Sequence, residues 1–188
     1  MSRAGKADDR LHLDAYYTPD TLAEALVGVL PIGAGTLALE PHAGGGAFVR
    51  ALKKRGAFVQ ALDVNPLAPG LHDAHGQYRC DFLRWCAPVK KRPEWVIGNP
   101  PFLNAVSHIE RAMNVTDRHV VMLLRLGIME SAKRLEFWRS SGRHLRALWV
   151  LSQRPSFTGG GTDSAAYGWF WWDLEHDGPT DIDWLSWR

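Results

Sequence analysis

The alternation of strand-like and helix-like segments constrains the fold of this chain most strongly. Residues 36–40 (TLALE) have the apolar character of a short strand. Residues 44–56 (GGGAFVRALKKRG) predict a glycine turn leading into a helix that ends at Gly56, and residues 57–63 (AFVQALD) predict a second strand. A strand, a helix and a second strand in this order form a βαβ unit, whose two strands are parallel.

The same alternation continues along the rest of the chain. A helix is predicted over residues 21–30, with Thr18 as its cap and Pro19 in its first turn. Further strands are predicted at 77–80, 94–98, 119–125, 144–151 and 166–174, with helices near 102–115 and 129–140. Several of these strands are apolar throughout, which is typical of parallel strands covered on both faces. The pattern predicts an α/β protein with an open, doubly wound, mostly parallel sheet, in which ligands bind beyond the carboxyl ends of the strands.

The two ends of the chain differ in character. Residues 1–15 lack periodicity and are predicted to be a flexible N-terminal arm, whereas residues 16–188 are predicted to form a single domain. The polar N-terminus is unlike a secretory signal, and no run of apolar residues is long enough to span a membrane, so we expect a cytoplasmic protein. Cys80 and Cys86 lack the spacing of a zinc site and are expected to be free, buried thiols, and no metal is expected. The net charge of +2 permits a polyanionic partner without requiring one.

Acidic residues fall at the ends of three successive predicted strands. Glu40 begins the segment EPHAGGGAF (40–48), and Asp63 and Asp81 end or follow the next two strands. An acidic residue about 20 residues after a glycine turn is placed to reach the ribose hydroxyls of a bound nucleoside. The GGG turn is not the G-x-G-x-x-G pattern that holds a pyrophosphate. Together these features predict a site for a nucleoside cofactor without phosphates.

The segment Asn99-Pro100-Pro101-Phe102 follows the predicted strand at 94–98. Neither proline can donate a hydrogen bond to a sheet, so the two prolines end the strand and hold the following backbone rigid. With EPHAGGGAF upstream, this segment resembles the Asn-Pro-Pro-aromatic motif of the S-adenosylmethionine-dependent amino methyltransferases of nucleic acids. The resemblance implies a Rossmann-like class I methyltransferase fold, with a seven-stranded sheet whose last strand is antiparallel and inserted next to the sixth.

The resemblance also assigns roles to residues. It implies S-adenosylmethionine as the cofactor, held by Tyr17, Thr18, Pro19, Glu40, Pro41, His42, Ala43, Gly44, Gly46, Asp63, Asp81, Phe82 and Asn99. The catalytic segment would be Asn99, Pro100, Pro101 and Phe102, and Phe102 and Phe157 would contact the target base. An exocyclic amine is a poor nucleophile, because its lone pair is delocalised into the ring. The Asn99 side-chain oxygen and the Pro100 carbonyl are acceptors that can hold its hydrogens, while Phe102 stacks on the flipped base.

The acceptor is expected to be the N6 amine of adenine in DNA. Tyr17-Thr18-Pro19 and the segment Arg154–Thr158 with the glycines after it are similar to segments of DNA amino methyltransferases. The chain leaves no room for a separate target-recognition domain, so short or loose sequence specificity is expected, as in the compact enzymes of bacteriophages and mobile elements. RNA N6-adenine, DNA N4-cytosine and protein glutamine methylation remain alternatives, as does a non-catalytic module that binds cofactor or nucleic acid. Whether the protein is a monomer or a dimer stays open.

Two basic clusters bear on nucleic-acid binding. Lys53-Lys54-Arg55 suits the C-terminus of a helix, where cations are favoured by the helix dipole. Lys90-Lys91-Arg92 fits a solvated turn and a phosphate contact equally well.

Overall fold

A computed structural model describes residues 17–86, 91–157 and 164–188. Its strands form one eight-stranded sheet with the order β3-β2-β1-β4-β5-β7-β6-β8. The strands are β1 (Leu37–Glu40), β2 (Phe58–Asp63), β3 (Gly76–Arg79), β4 (Trp95–Gly98), β5 (His119–Arg125), β6 (Leu145–Leu151), β7 (Tyr167–Asp173) and β8 (Asp181–Leu185). The α-helices are α1 (Asp20–Gly28), α2 (Ala47–Lys54), α3 (Pro69–Asp73), α4 (Ala105–Val115) and α5 (Leu135–Ser141). Short 3₁₀ helices occupy Phe102–Asn104, Leu126–Met129, Ala132–Arg134 and Gly142–His144.

The sheet is parallel except for β7. Strands β1 to β5 pair in parallel, and β7 is inserted antiparallel between β5 and β6. Six of the seven residues of β7 are buried, as expected for a strand flanked on both sides and covered on both faces. The predicted α/β class, the mostly parallel doubly wound sheet and the inserted antiparallel strand are therefore confirmed.

The predicted number of strands was wrong, because β8 adds an eighth strand. It pairs in parallel with β6, from Ala147↔Asp181 to Leu151↔Leu185, so the antiparallel strand is not the last one. Four of its five residues are exposed. The segment DIDWL therefore lacks the buried apolar run by which most of the other strands were identified, and it owes its strand conformation to backbone pairing at the sheet edge.

Helices cover both faces of the sheet. On one face, α1 and α2 contribute Leu22, Leu26 and Phe48 to a core in which the Phe48 ring stacks on Trp169 at 5.3 Å between centroids. On the other face, α4 and α5 pack against alternate residues of β7. Because successive residues of β7 point to opposite faces, this one strand contributes aromatic side chains to both cores.

The predicted helix cap and the predicted buried thiols differ from the structure. Thr18 does not cap α1, because Pro19 is the N-cap residue and no side chain bonds the first turn. Cys80 is half-buried but Cys86 is exposed, so the expectation of buried thiols was wrong for Cys86. The predicted N-terminal arm, residues 1–15, lies outside the described residues.

The described ranges contain neither a membrane-spanning helix nor a metal-binding cluster. There, no helix has the length and apolar character needed to cross a membrane. The same ranges contain no cluster of three or more His, Cys, Asp or Glu side chains that could hold a metal ion.

Candidate functional site

The carboxyl ends of the parallel strands surround a cavity of about 330 Å³. Ligands of open α/β sheets bind at this edge. The walls bring together eleven of the residues predicted from the sequence: Tyr17, Pro41, His42, Gly44, Asp63, Asp81, Phe82, Asn99, Pro100, Pro101 and Phe102. An adjoining smaller recess is lined by Thr18, Ala43 and Gly46 together with Tyr17, His42, Gly44 and Asn99. Most of the predicted site therefore lies in one continuous depression.

The glycine turn after β1 depends on close backbone contact with α3. Gly46 has φ +85°, a left-handed conformation that disfavours other residues, and it is the N-cap of α2. A Cβ atom on Gly70 would lie 2.5 Å from the Ala43 carbonyl oxygen and 2.7 Å from the Gly46 Cα atom. The Gly70 N–H donates to the Gly44 carbonyl at 2.9 Å. Gly70 was missed by the sequence reasoning, although Pro69-Gly70 is a turn signal.

Asp63 at the end of β2 is fixed by two backbone hydrogen bonds. Its Oδ2 accepts the Gly44 N–H and its Oδ1 accepts the Asn65 N–H, both at 2.7 Å. Each carboxylate oxygen has a further lone pair for a ligand hydroxyl. Asp81, after β3, accepts the Leu83 N–H at 3.0 Å and also lies on the cavity wall.

Glu40 has a different position from the other two acids. Its side chain is only 1% exposed, and its Oε1 accepts the His42 N–H at 2.8 Å. Burial raises the pKa of Glu40 well above its usual value, and the charge of Asp63 raises it further, although the bond from His42 opposes the shift. Glu40 thus supports the turn from within the core, whereas Asp63 and Asp81 form the rim that the sequence predicted for all three.

The Asn99–Phe102 segment leaves β4 directly at the cavity. The Asn99 Nδ2 donates to the Thr18 Oγ1 at 3.3 Å, which ties this segment to the chain just before α1. The Tyr17 ring covers the glycine turn, since a Cβ atom on Gly44 would lie 3.2 Å from the Tyr17 Cδ1. Pro19, the N-cap residue of α1, lines neither the cavity nor the smaller recess.

Phe102 belongs to an aromatic cluster at the mouth of the cavity. The ring of Phe157 lies 6.3 Å from Phe102 and that of Tyr167 lies 5.6 Å away, measured between centroids. The guanidinium of Arg125 lies 4.5 Å from the centre of the Phe102 ring, and the Arg125 Nε donates to the Tyr167 hydroxyl at 3.1 Å. Phe157, which the resemblance assigned to the target base together with Phe102, thus lies next to the Phe102 ring but is not among the residues that line the cavity. Arg125 and Tyr167 were missed, because they meet Phe102 only through the pairing of β5 with β7.

A second cavity, of about 470 Å³, adjoins the first one. Phe102 and Asn104 line both cavities. The remaining wall of the second cavity includes Leu124, Arg125 and Ile128.

The glycine-rich part of the predicted loop, at 158–163, lies outside the described residues.

His108 was also missed, because it lies on α4 and is not part of any motif in the sequence. Its Nδ1 lies 2.7 Å from the Nε2 of His42, and both histidines line the cavity. His42, which the resemblance assigned to the cofactor, is therefore a wall residue of the cavity.

Lys53, Lys54 and Arg92 of the basic clusters have structural partners. Lys53 donates to the Asp73 carbonyl and Lys54 pairs with Glu24 at 3.2 Å, consistent with their predicted place at the end of α2. Arg92 pairs with Asp117 and donates to carbonyls at the C-terminus of α4, which favours a structural role over a phosphate contact. Lys90 lies outside the described residues.

Comparisons with known proteins extend the description of the fold. No protein-family model matches the sequence, and no curated protein matches it. A structure from Vibrio vulnificus, described as the modification subunit of a type I restriction enzyme, is 17% identical with a TM-score of 0.72, covering 91% of this chain and 46% of that one. One from Listeria monocytogenes, described as a class I S-adenosylmethionine-dependent methyltransferase, is 13% identical with a TM-score of 0.70, covering 92% and 66%. One from Pyrococcus horikoshii, described as an RNA methyltransferase, is 16% identical with a TM-score of 0.71, covering 90% and 92%.

These chains differ in length relative to this one. The present chain spans about half of the Vibrio subunit and about two thirds of the Listeria protein, but nearly all of the Pyrococcus protein. At identities this low the likeness concerns the fold alone. The chain has the Rossmann-like fold of class I S-adenosylmethionine-dependent methyltransferases.

Proposed function

We propose that this protein transfers a methyl group from S-adenosylmethionine to the exocyclic N6 amine of adenine in DNA. One observation carries the proposal. Asn99, Pro100, Pro101 and Phe102 line the same cavity as the glycine turn and Asp63. A motif that suits an amine acceptor thus adjoins a pocket that suits a nucleoside cofactor.

The cofactor would lie along the ends of β1 to β3. The carboxylate of Asp63, which is fixed by the Gly44 N–H, would accept the ribose hydroxyls, and Asp81 and Phe82 would border the adenine. Tyr17, which covers the glycine turn, would border the amino-acid end. S-Adenosylmethionine supplies an electrophilic methyl group, so no strong general base is required of the protein.

The residues after β4 would act on the acceptor amine. The Asn99 side-chain oxygen and the Pro100 carbonyl would accept its two hydrogens and direct its lone pair toward the methyl group. The prolines hold this backbone rigid, which reduces the entropy lost when the amine is positioned. Phe102 and Phe157, which lie together, would border the flipped base.

The assay uses S-adenosylmethionine and DNA from a methylation-free source, followed by digestion to nucleosides and mass spectrometry. N6-methyladenine is expected with the wild type and at a level at least about 100-fold lower with Asn99→Ala, because the acceptor loses a preorganised partner. Cofactor binding by Asn99→Ala should stay largely intact. Asn114→Ala, an exposed Asn on α4, is the matched control and should retain wild-type activity. Methylation by Asn99→Ala at the wild-type rate would contradict the assignment.

RNA is the second candidate acceptor. The structure described as an RNA methyltransferase matches this chain over nearly the full length of both, whereas the restriction subunit extends far beyond the match. A labelled-methyl assay with DNA, RNA and protein in competition separates the acceptors. N4-methylcytosine as the product would keep the mechanism and change the base.

We further propose that sequence specificity is short or loose. The described part of the chain consists of the sheet, its covering helices and their connections. The spread of methylated sites across the DNA, read by sequencing, tests this point, and a single long recognition sequence would contradict it.

A further inference from the structure

The His42–His108 pair is a polar feature of the cavity wall that the proposed chemistry does not use. His42 follows β1 and His108 lies on α4, 66 residues later. Their nitrogens Nε2 and Nδ1 are 2.7 Å apart, which is short enough for a well-formed hydrogen bond. The Phe82 ring packs against both, at 5.6 Å from the ring of His42 and 6.1 Å from that of His108. The two imidazoles therefore act as a unit.

Burial favours the uncharged form of both members of this pair. Burial lowers the pKa of His42 well below its usual value, and the neighbouring His108 lowers it further. Burial also lowers the pKa of His108, although the charge of Asp81 opposes the shift. A neutral imidazole has one donor nitrogen and one acceptor nitrogen, so a single proton lies between the two rings.

The surroundings of His42 decide which ring donates. The His42 Nδ1 is buried, and no residue in the described part of the chain offers it a hydrogen-bond partner. A buried N–H without a partner is rarer in proteins than a buried acceptor without one. The His42 proton is therefore placed on Nε2, from which it donates to the His108 Nδ1. His108 must then carry its own proton on Nε2.

We propose that His108 is a ligand-contacting residue whose Nε2–H donates to an acceptor atom of the purine nucleoside of the methyl donor, and that His42 is the positioning residue that sets this tautomer. The inference rests on the proposed function for the identity of the ligand. His108 lines the cavity together with Asp81 and Phe82, the two residues placed to border the adenine. Purine ring nitrogens and ribose oxygens are acceptors that such a donor can bind. An uncharged donor also avoids repelling the sulfonium of S-adenosylmethionine.

Three substitutions of His108 separate its two nitrogens. His108→Phe keeps a ring of similar size and removes both hydrogen bonds. His108→Gln places an amide near the position of Nε2 and keeps the donor, whereas His108→Asn places an amide near Nδ1 and keeps only the partner for His42. His72→Gln, at an exposed position on α3, is the matched control. Thermal unfolding of each variant shows that it is folded before binding is measured.

Calorimetric titration with S-adenosylmethionine and S-adenosylhomocysteine is the measurement. We expect His108→Phe and His108→Asn to bind both ligands about tenfold more weakly, as for the loss of one hydrogen bond. His108→Gln should bind within about threefold of the wild type, and His72→Gln should bind equally well. Equal losses in all three His108 variants, or no loss in His108→Phe, would overturn the inference.

A series of S-adenosylhomocysteine analogues, each lacking one purine ring nitrogen, tests the same contact without altering the protein fold. If His108 donates to a ring nitrogen, the analogue that lacks this nitrogen should bind the wild type weakly. His108→Phe should then bind that analogue no more weakly than the wild type does. If His108→Phe instead weakens the binding of every such analogue by the same factor, the contact is to a ribose oxygen, and His108 is still the donor.

The proposed function can fail separately. If the predicted order of affinities is found but no methyl transfer occurs to any acceptor, the proposed function is overturned and the inference holds. If the wild type binds neither nucleoside, both are overturned.

Discussion

Substitution of Gly70 by Ala tests the contact on which the glycine turn depends. The added Cβ atom would meet the Ala43 carbonyl oxygen at 2.5 Å and the Gly46 Cα and N atoms at 2.7 and 2.8 Å. All three are backbone atoms, so no side chain can rotate away to make room. The turn after β1 or the start of α3 must therefore move.

The expected size of the effect follows from two opposing contributions. Overpacking of a tight contact costs up to about 3 kcal/mol, and replacing Gly by Ala in a helix gains about 1 kcal/mol. We therefore expect Gly70→Ala to lower the free energy of unfolding by ~2 kcal/mol. Because Gly44 lines the cavity and Gly46 lines the adjoining recess, the displaced turn should also weaken S-adenosylmethionine binding by about tenfold or more.

Urea unfolding and calorimetric titration measure the two effects. Gly28→Ala on α1 is the matched control, since a Cβ atom there would meet nothing within 4 Å. It should raise the free energy of unfolding by roughly 0.5–1 kcal/mol and leave cofactor binding unchanged. If Gly70→Ala unfolds at the wild-type urea concentration and binds the cofactor normally, the close contact between α3 and the turn does not exist in solution.

Three further changes test other parts of the site. The raised pKa of Glu40 means that the folded state keeps this proton above pH 4.5, where the unfolded state loses it, so stability falls as pH rises. Relative to the wild type, the free energy of unfolding of Glu40→Gln should therefore grow by up to about 1.4 kcal/mol per pH unit between pH 4.5 and the pKa of Glu40 in the folded state. A difference in urea unfolding that does not change with pH would contradict this. Asp63→Asn should bind S-adenosylmethionine roughly 10- to 100-fold more weakly in calorimetry, because an amide cannot accept at both positions, and unchanged binding would remove Asp63 from the site. Arg125→Met should lower kcat about tenfold with an unchanged Kd for the cofactor, because Phe102 loses the guanidinium over its ring, and a change confined to the Kd would refute this role.

The sequence was sufficient for the parts of the fold that bury apolar surface. Seven strands were predicted within about one residue of their ends. Most of them are apolar runs bounded by turn signals, whereas β3 alternates half-buried and exposed residues. β8 was missed because its residues are largely exposed, so its pairing with β6 leaves no hydrophobic pattern. The predicted cap of α1 was wrong because Pro19 is the N-cap residue, and the Thr18 hydroxyl instead accepts from Asn99, which lies 81 residues away in sequence.

The site was hard to predict for two reasons. The sequence does not show how deeply a side chain is buried, and several partners lie far apart along the chain. The positions of Glu40 and Asp63 at strand ends were clear, but a strand-end position does not determine whether a side chain faces the rim or the core. Burial alone distinguishes Glu40 from the other two acids. His108 and Gly70 contribute through partners far away in sequence, namely His42 and the glycine turn. No local pattern of residues marks such pairs.

The position of β7 has a consequence for how the chain folds. β7 lies between β5 and β6 but follows both in sequence, so the edge of β5 opposite β4 has no partner strand until residue 173 is available. During synthesis, the apolar β5 therefore presents an open edge while some fifty further residues are made. Completion of the sheet depends on contacts between distant residues, which form slowly. That open edge can pair with the wrong strand until β7 takes its place between β5 and β6.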